Sequence, residues 1–363
     1  MKFHAYGSKS GERRIRWSIA TALLAALLYG INAPFSKMLL SEIPPALMAA
    51  MLYLGAGIGM TLITVVLPKD KRKREAGMTR RDMPFIAGMI LLDIAAPILL
   101  MTGLSMTTAG NASLLNNFEI VSTSLIALII FKEEIGRRTW IAIVLITIGS
   151  IILSISDFGA LSFSTGSLLV LAACVCWGFE NNITRVLSNK NPMHVVVIKG
   201  LGSGSGALII AFFLKEYSNN IIFLLLALLL GFIAYGLSIF LYIKAQRVLG
   251  AARTSAYYAA APFIGVLASW IVLGEGITAS FLAAAVLMIA GTLTAVSERH
   301  LHAHKHGEET HEHMHGHDDG HHSHRHYDDG DPDCRHSHEH THEMTDHTHL
   351  HTPDSHHRHT HNK

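Results

Sequence analysis

The sequence is poor in charged residues and lacks the features that most enzymes need. Only 15% of its 363 residues are Asp, Glu, Lys or Arg, half are apolar, and the mean hydropathy is +0.34. The three cysteines (Cys174, Cys176 and Cys334) form no even framework for a small disulfide scaffold. There is no Walker A sequence and no nucleophile with a spaced base, so we expect no catalysis. The composition predicts a polytopic membrane protein.

Ten apolar stretches have about the 20 residues that a helix needs to cross a bilayer. We place them at residues 17–40, 45–67, 84–106, 109–131, 139–156, 166–187, 192–214, 221–243, 251–273 and 277–297. The first stretch follows a basic segment like that of a signal peptide, but no small-residue cleavage pattern ends it. We therefore expect a retained first helix and five helices in each half.

The chain contains one pattern twice. Residues 28–39 (LYGINAPFSKML) align with residues 176–187 (CWGFENNITRVL) at an offset of 148. The offset changes only slightly downstream, to 147 and then to 142, as these pairs show: Pro45 and Pro192, LGAGIG at 54–59 and LGSGSG at 201–206, Ala109 and Ala251, Ser113 and Ser255, Glu133 and Glu275, Gly149 and Gly291. Such a small drift is loop-length variation between two repeats.

Lysine and arginine are concentrated in alternate connections. Twenty of them lie on one side, including the N-terminus, and the other side has only Lys215. The positive-inside rule then places both chain ends in the cytoplasm, in a multi-pass protein of the inner (cell) membrane. Because five is odd, the second copy must cross in the opposite sense. This inverted repeat is typical of secondary transporters, whose substrate sites lie near the midplane between the copies.

The repeated segments resemble the EamA-type drug/metabolite transporter family. The resemblance rests on four signatures: LLYGINAPFSK, VCWGFENNITR, TTAGNASLLNNFEIVSTSLIALIIFKEEIG and LGAARTSAYYAAAPFIGVLASWIVLGEGI. It covers residues 17–297. This family usually has a proline in the fourth and the ninth helix, whereas here Pro262 is in the ninth and Ile120 stands at the aligned position of the fourth.

These observations predict an all-α integral membrane protein with ten transmembrane helices in two inverted five-helix repeats, followed by a disordered tail. The predicted segments are a cytoplasmic N-terminus (1–16), the first repeat (17–156), an external linker (157–165), the second repeat (166–297) and the tail (298–363). The expected partners are the lipid bilayer and a small-molecule substrate, with proton coupling as an option. We expect a monomer or homodimer and no nucleic-acid partner.

Two ionisable residues of the first half are candidates for the cavity. Asp93 lies mid-helix, where a charge costs roughly 2.5–3.5 kcal/mol, so it should face the cavity or find a structural partner. Pro97 leaves its carbonyl without a helical partner. Lys37 lies near a helix end, where it either neutralises an anionic substrate or snorkels to the headgroups. Nearby Pro34 predicts a kink or a broken helix.

A denser polar group lies in the fourth helix. Asn116, Asn117 and Glu119 fall within one turn, and Asn116 and Glu119 are neighbours at i, i+3. They serve either as interhelical hydrogen-bonding groups or as part of the site. A buried carboxylate such as Glu119 is also a candidate proton carrier.

The sixth helix has polar residues at the same depth as the first. Glu180 and Asn181 fall where the first copy has Asn32 and Ala33, and Trp177 shares a helical face with Asn181. The shared depth predicts that these residues line the central cavity, the alternative being a structural network that joins the halves.

Lys199 opens the run KGLGSGSG, which superficially resembles a nucleotide-binding loop. No βαβ context surrounds it, and its small residues instead predict tight helix packing. Lys199 is a further cavity candidate. Tyr257, Tyr258, Tyr235 and Tyr242 could stack on or hydrogen-bond a solute, the alternative being packing or interface anchoring, and of these Tyr257 and Tyr258 are the cavity candidates.

Residues 300–363 differ from the rest in composition. They hold 23 of the 25 histidines, thirteen acidic and five basic residues, with almost nothing apolar to bury. The candidate metal ligands are His311, His313, His315, His317, His321, His322, His324, His326, His336, His338, His340 and His342. Imidazole suits Zn²⁺, Ni²⁺, Co²⁺ or Cu²⁺, so we expect the tail to bind such ions, although no cofactor is required.

Three hypotheses about function follow from the sequence. The first is a proton- or gradient-coupled secondary transporter that exports a small, amino-acid-like metabolite by alternating access, with a metal-binding regulatory tail. The second is an exporter of divalent transition metals or metallophores. The third is a membrane-anchored metal buffer that does not transport.

Overall fold

The computed structural model is a bundle of α-helices followed by short strands near the C-terminus. It describes residues 9–66, 78–130, 132, 136–157, 162–184, 187, 190–249, 251–296, 300–305, 309–315, 336–342 and 346–351. The outer surface of the bundle exposes many large apolar side chains, such as Leu225, Val286 and Leu293. Such a surface is suited to contact with lipid.

The described residues of the first half form seven helices and one 3-10 turn. They are α1 (Lys9–Gly30), α2 (Asn32–Leu39), α3 (Pro45–Val66), the 3-10 turn (Arg80–Asp82), α4 (Met83–Met106), α5 (Ala109–Leu115), α6 (Phe118–Ile129) and α7 (Arg137–Ser154). A short antiparallel pair, β1 (Ile155–Asp157) and β2 (Ser162–Phe163), leads to the second half.

The second half repeats this order. Its elements are α8 (Thr165–Thr184), α9 (Pro192–Phe213), α10 (Ile221–Gly231), a π-helical segment (Phe232–Leu237), α11 (Ser238–Leu249), α12 (Ala251–Tyr258), α13 (Ala261–Leu273) and α14 (Ala279–Val296). Among the described residues, nine helices are long and apolar enough to span a membrane, and α13 is a shorter apolar helix. With α12 it forms the remaining span, and the predicted all-α membrane fold is confirmed.

Reciprocal glycine contacts show the two-fold relation between the halves. A Cβ on Gly57 would lie 2.6 Å from the backbone nitrogen of Leu201, and one on Gly204 would lie 2.6 Å from that of Leu54. The two glycines are 147 residues apart in the sequence, and so are the two leucines. Exchanging the halves therefore converts one contact into the other, as two copies related by an inverted repeat require.

A second reciprocal pair joins the last helices of the halves, α7 and α14. A Cβ on Gly149 would lie 2.9 Å from Cγ of Met288, and one on Gly291 would lie 2.8 Å from Cγ1 of Ile146. These contacts are related by the offset of 142. The close approach of backbones at small residues is the packing that the glycine-rich runs predicted.

Several spans are broken near the middle. The first breaks at Ile31 before Pro34, as predicted, whereas α8 has Asn182 at the aligned position and stays continuous. The fourth breaks between α5 and α6 although it lacks the family's proline. There the backbone N–H (3.0 Å) and the side chain (2.8 Å) of Asn117 both donate to the carbonyl of Leu114, so this asparagine stabilises a turn at the break.

Alternate connections between the spans emerge at the same end of the bundle. We call the end with connections 40–44, 107–108, 155–164, 214–220 and 274–278 the charge-poor face, since Lys215 is the one Lys or Arg in these connections. The opposite end is the charge-rich face.

Four short segments of the tail form two antiparallel strand pairs. β3 (His300–Lys305) pairs antiparallel with β6 (Asp346–His351), and β4 (Glu309–His315) pairs with β5 (His336–His342). Backbone pairing satisfies the N–H and C=O groups that face the partner strand. Five of the predicted ligands, His317, His321, His322, His324 and His326, lie outside the described residues.

Candidate functional site

A cluster of charged side chains lies where α3, α4, α8 and α9 meet. The ammonium group of Lys199 is 3.0 Å from Oδ2 of Asp93 and 3.1 Å from Oε1 of Glu180. Asp93 is 0% exposed and Glu180 2%. The other Asp93 oxygen accepts a hydrogen bond from the Tyr53 hydroxyl (3.0 Å), and Thr184 donates to Glu180. We call these five residues the charged cluster.

Close helix packing brings Lys199 to the carboxylates. The next residue, Gly200, lies against α3, where a Cβ would come within 2.6 Å of Cα of Gly57 and 2.9 Å of the carbonyl oxygen of Tyr53. Lys199 thereby lies beside Tyr53, whose hydroxyl already bonds to Asp93. Among the described residues, the ion pair with Lys199 is the one polar partner of Asp93 Oδ2. The glycine-rich run that begins after Lys199 thus positions a charge.

The symmetry-related position between the halves has an uncharged counterpart of this cluster. Asn32 donates to the hydroxyl of Tyr235 (3.0 Å), and Ser36 donates to Asn32 (3.1 Å). Asn32 aligns with Glu180 and Ser36 with Thr184, both at an offset of 148. In both halves a hydroxyl side chain therefore donates to the residue four positions before it, Ser36 to Asn32 and Thr184 to Glu180.

The two halves differ in charge at the remaining positions. The offset of 142 pairs Asp93 with Tyr235, and the offset of 147 pairs Lys199 with Leu52. One of the two symmetry-related contacts between the halves is therefore an amide bonded directly to a phenol, whereas the other has two carboxylates bridged by an ammonium group. Two facing carboxylates repel each other, which explains why the lysine occurs on that side only.

A second polar group joins α6 to α8. Asn181 donates to Glu119 (2.7 Å) and to the hydroxyl of Thr123 (3.3 Å), and Asn182 donates to the Thr123 carbonyl (3.1 Å). Glu119 and Asn181 are both half-buried. Carboxylates on membrane-spanning helices usually face a cavity or a polar partner, and Glu119 has Asn181 as such a partner.

Four tyrosines connect the two halves of the site. The ring centroids are 5.3 Å apart for Tyr53 and Tyr235, 5.8 Å for Tyr235 and Tyr29, and 5.8 Å for Tyr29 and Tyr258. Tyr29 and Tyr258 are half-buried, so their rings also offer free surface. These distances are those of favourable aromatic pairs.

The structure places other candidate residues away from the charged cluster. Lys37 donates to the carbonyls of Leu104 (2.6 Å) and Thr107 (2.8 Å), so it stabilises the C-terminal end of α4. Leu104 lies 11 residues beyond Asp93, about 16 Å along a helix. Tyr257 instead packs against a small cluster that includes Leu249.

Two other candidates lie in the protein core around the site. Trp177 is buried beside Tyr53, and Asn116 is half-buried, with its side-chain oxygen 3.9 Å from the Cys174 sulfur. Both residues therefore pack around the site, whereas Lys199 contacts Asp93 and Glu180 directly.

Sequence reasoning missed Tyr53 and undervalued Tyr235. An aromatic residue in an apolar helix gives no signal of its own, but Tyr235 does align with Asp93, and that correspondence could have identified it. Tyr53 aligns with Gly200 and has no such signal.

The described side chains include no group of three or more His, Cys, Asp or Glu residues arranged to hold a metal ion. In the tail, backbone pairing places His311 opposite His340, His313 opposite His338 and His315 opposite His336.

Comparison with known proteins identifies the fold and the family. A crystal structure aligns with a TM-score of 0.56 at 14% identity, covering 77% of this chain and 95% of that one. An uncharacterized transporter of Methanothermobacter thermautotrophicus is 27% identical over 76% of this chain and 84% of its own. The uncharacterized transporter YvbV of Bacillus subtilis is 28% identical over 74% and 89%.

A sequence profile described as the EamA-like transporter family matches residues 16–155 and again residues 164–297. The two matches together cover most of the chain, and each includes one half of the helical body. The chain is a multi-pass membrane transporter that belongs to the EamA-like transporter family.

Proposed function

We propose that this transporter exports a small, amino-acid-like metabolite across the inner membrane by alternating access. The observation that carries the proposal is the charged cluster, an ammonium group between two buried carboxylates on membrane-spanning helices. Charges at this depth are costly and usually belong to substrate or ion pathways. Their place between the inverted halves is where such transporters bind their substrates.

The polar groups suit the two ends of an amino acid. Lys199 has three N–H donors, of which two point to carboxylates, so one remains for a substrate carboxylate. Glu119 accepts a hydrogen bond from Asn181, and its carboxylate can accept another from a substrate ammonium group. The half-buried rings of Tyr29 and Tyr258 offer apolar surface to the rest of the molecule.

The charge balance favours coupling to protons. Asp93, Glu119 and Glu180 are three carboxylates near one ammonium group, so full ionisation would leave two net negative charges on membrane-spanning helices. Such an excess is stabilised when a proton or a cation binds. A carboxylate that accepts a proton on one side and releases it on the other links the proton gradient to substrate movement.

The test is transport in proteoliposomes with an imposed pH gradient and a panel of amino acids. Glu119→Gln and Glu180→Gln keep the side-chain shape and remove the charge, so each should abolish coupled transport while the protein stays inserted and folded. Glu42→Gln is the matched control, since Glu42 is exposed on the charge-poor face. Normal transport by both variants from pH 5.5 to 8 would show that these carboxylates are structural.

We further propose that the histidine-rich tail binds Zn²⁺, Ni²⁺, Co²⁺ or Cu²⁺ and regulates transport. The repeated His-x-His pattern supplies neutral imidazoles, which these ions prefer. In the body, Lys199 occupies the space between Asp93 and Glu180, where a divalent ion would have to sit. This arrangement favours the metabolite hypothesis over metal export. Flux assays with Zn²⁺, Ni²⁺ and Co²⁺ test this preference. Metal flux that depends on Asp93 would favour the metal-export hypothesis instead.

A further inference from the structure

Two carboxylates of the second half bond to backbone N–H groups of the first half at the charge-poor face. Glu216 accepts from Ala46 (2.7 Å) and Leu47 (3.4 Å) at the start of α3. Glu275 accepts from Ala109 (2.7 Å) with one oxygen and from Gly110 (2.8 Å) with the other, at the start of the fourth span. Such charge-assisted bonds are stronger than neutral ones.

The same local geometry aims both carboxylates. Each follows a residue with a left-handed backbone conformation that ends a helix, Lys215 (φ 57°) after α9 and Gly274 (φ 62°) after α13. The backbone N–H of Glu216 closes the helix end on the carbonyl of Ala211 (2.9 Å), and that of Gly274 bonds to Trp270 (3.1 Å). A lysine in this conformation is strained by roughly 1–3 kcal/mol, so the placement of Glu216 is maintained at a cost.

The repeat explains why α3 depends on the other half. At the charge-rich face, the aligned helix α9 is capped locally, because Asn191 accepts from Met193 (2.9 Å) and His194 (3.3 Å). These two residues align with Ala46 and Leu47, whereas Asn191 aligns with Pro44, whose side chain has no acceptor. Glu216 therefore provides the hydrogen-bond acceptor for the first N–H groups of α3, whereas Asn191 provides it for those of α9.

We propose that Glu216 and Glu275 are latches that hold the charge-poor face closed. Each bond joins opposite halves of the bundle, so the halves cannot separate at this face unless both carboxylates leave the N–H groups. Opening of this face is the movement that alternating access requires, and in this respect the inference rests on the proposed function. The latches act through helix positions, and neither residue needs to contact the substrate.

A thiol-accessibility experiment tests the latches directly. In a background with the three cysteines replaced by alanine, Ser113→Cys provides a reporter, because Ser113 is 2% exposed and lies one turn beyond Ala109. The protein is placed in lipid nanodiscs, where both faces meet the solvent, and its reaction rate with a charged methanethiosulfonate reagent is measured. Glu216→Gln, Glu275→Gln and the double variant are compared with Glu42→Gln.

We expect each single latch variant to raise the rate, and the double variant to raise it by about ten-fold or more, which corresponds to a loss of about 1.4 kcal/mol. Glu42→Gln should leave the rate unchanged. An unchanged rate in the double variant, or an equal rise with Glu42→Gln, would overturn the proposal. Size-exclusion profiles verify that the variants are folded. If the latch variants raise the reaction rate but the wild-type protein transports none of the tested amino acids, the latches are supported and the proposed function is rejected.

Discussion

Replacement of Lys199 tests whether the charged cluster is an interdependent unit. We choose Lys199→Leu because the aligned residue of the first half is Leu52. The change leaves Asp93 and Glu180, which are 0% and 2% exposed, without their shared ammonium group. Removal of one partner from a buried ion pair costs about 3–5 kcal/mol, because the remaining charge is buried without compensation.

The loss of stability in Lys199→Leu should depend on pH and on the presence of Asp93 and Glu180. Protonation of the carboxylates removes their charge, so Lys199→Leu should be much less destabilising at pH 5 than at pH 8. Adding Asp93→Asn and Glu180→Gln makes the cluster neutral, and these side chains can still accept from Tyr53 and Thr184. The triple variant should therefore regain at least half of the lost stability.

Thermal unfolding in detergent at both pH values measures these effects. At pH 8 we expect a Tm several degrees below wild type for the single variant and a partial recovery for the triple variant. A double-mutant cycle between Lys199 and each carboxylate gives the coupling energies. The reasoning fails if Lys199→Leu matches wild type at pH 8, or if the triple variant is no more stable than the single variant.

Three further predictions concern orientation, packing and the tail. A topology reporter at residue 160 should be external and one at residue 310 cytoplasmic, and a cytoplasmic signal at 160 would contradict the predicted orientation. Gly231→Ala should cost about 1–3 kcal/mol in thermal unfolding, because its Cβ would lie 2.0 Å from the carbonyl oxygen of Leu52, whereas Gly276→Ala meets nothing within 4 Å and should be neutral. A stop after Arg299 should leave the Tm nearly unchanged and abolish Zn²⁺ and Ni²⁺ binding, which in the full chain should weaken between roughly pH 7 and 5 as imidazole is protonated. Calorimetry that finds equal metal stoichiometry in both proteins would place the ligands in the body.

The repeat made most of the fold predictable. The lengths of the apolar stretches predicted the ten spans, and the odd number of spans in each of the two aligned copies predicted their inverted order. The break at Asn116 and Asn117 escaped prediction, since proline is the usual sign of a broken helix and here Asn117 forms a turn bonded to the Leu114 carbonyl instead. A proline marks a missing helical bond in the sequence, but a break formed by other residues has no such mark.

The site was predictable in its members but not in their pairing. Asp93, Glu180 and Lys199 were candidates because charges in apolar helices are costly. Their contact depends on how closely α3, α4, α8 and α9 approach, which reciprocal contacts such as that of Gly57 with Leu201 determine. Lys37 shows the same limit, because its carbonyl partners begin 67 residues away in the chain.

Symmetric packing and asymmetric charge have different consequences for transport. Reciprocal contacts such as Gly57 with Leu201 and Gly204 with Leu54 give each half the same packing options, so under the proposed alternating access we expect a second conformation of similar packing energy in which the halves exchange roles. The polar groups break this equivalence. Carboxylates bridged by Lys199 occur in one half of the site only, and α9 is capped by its own Asn191 whereas α3 depends on Glu216. The two conformations must therefore differ in free energy by their electrostatics. Because a proton or a charged substrate changes that electrostatic difference, binding at the charged cluster can shift the balance between them.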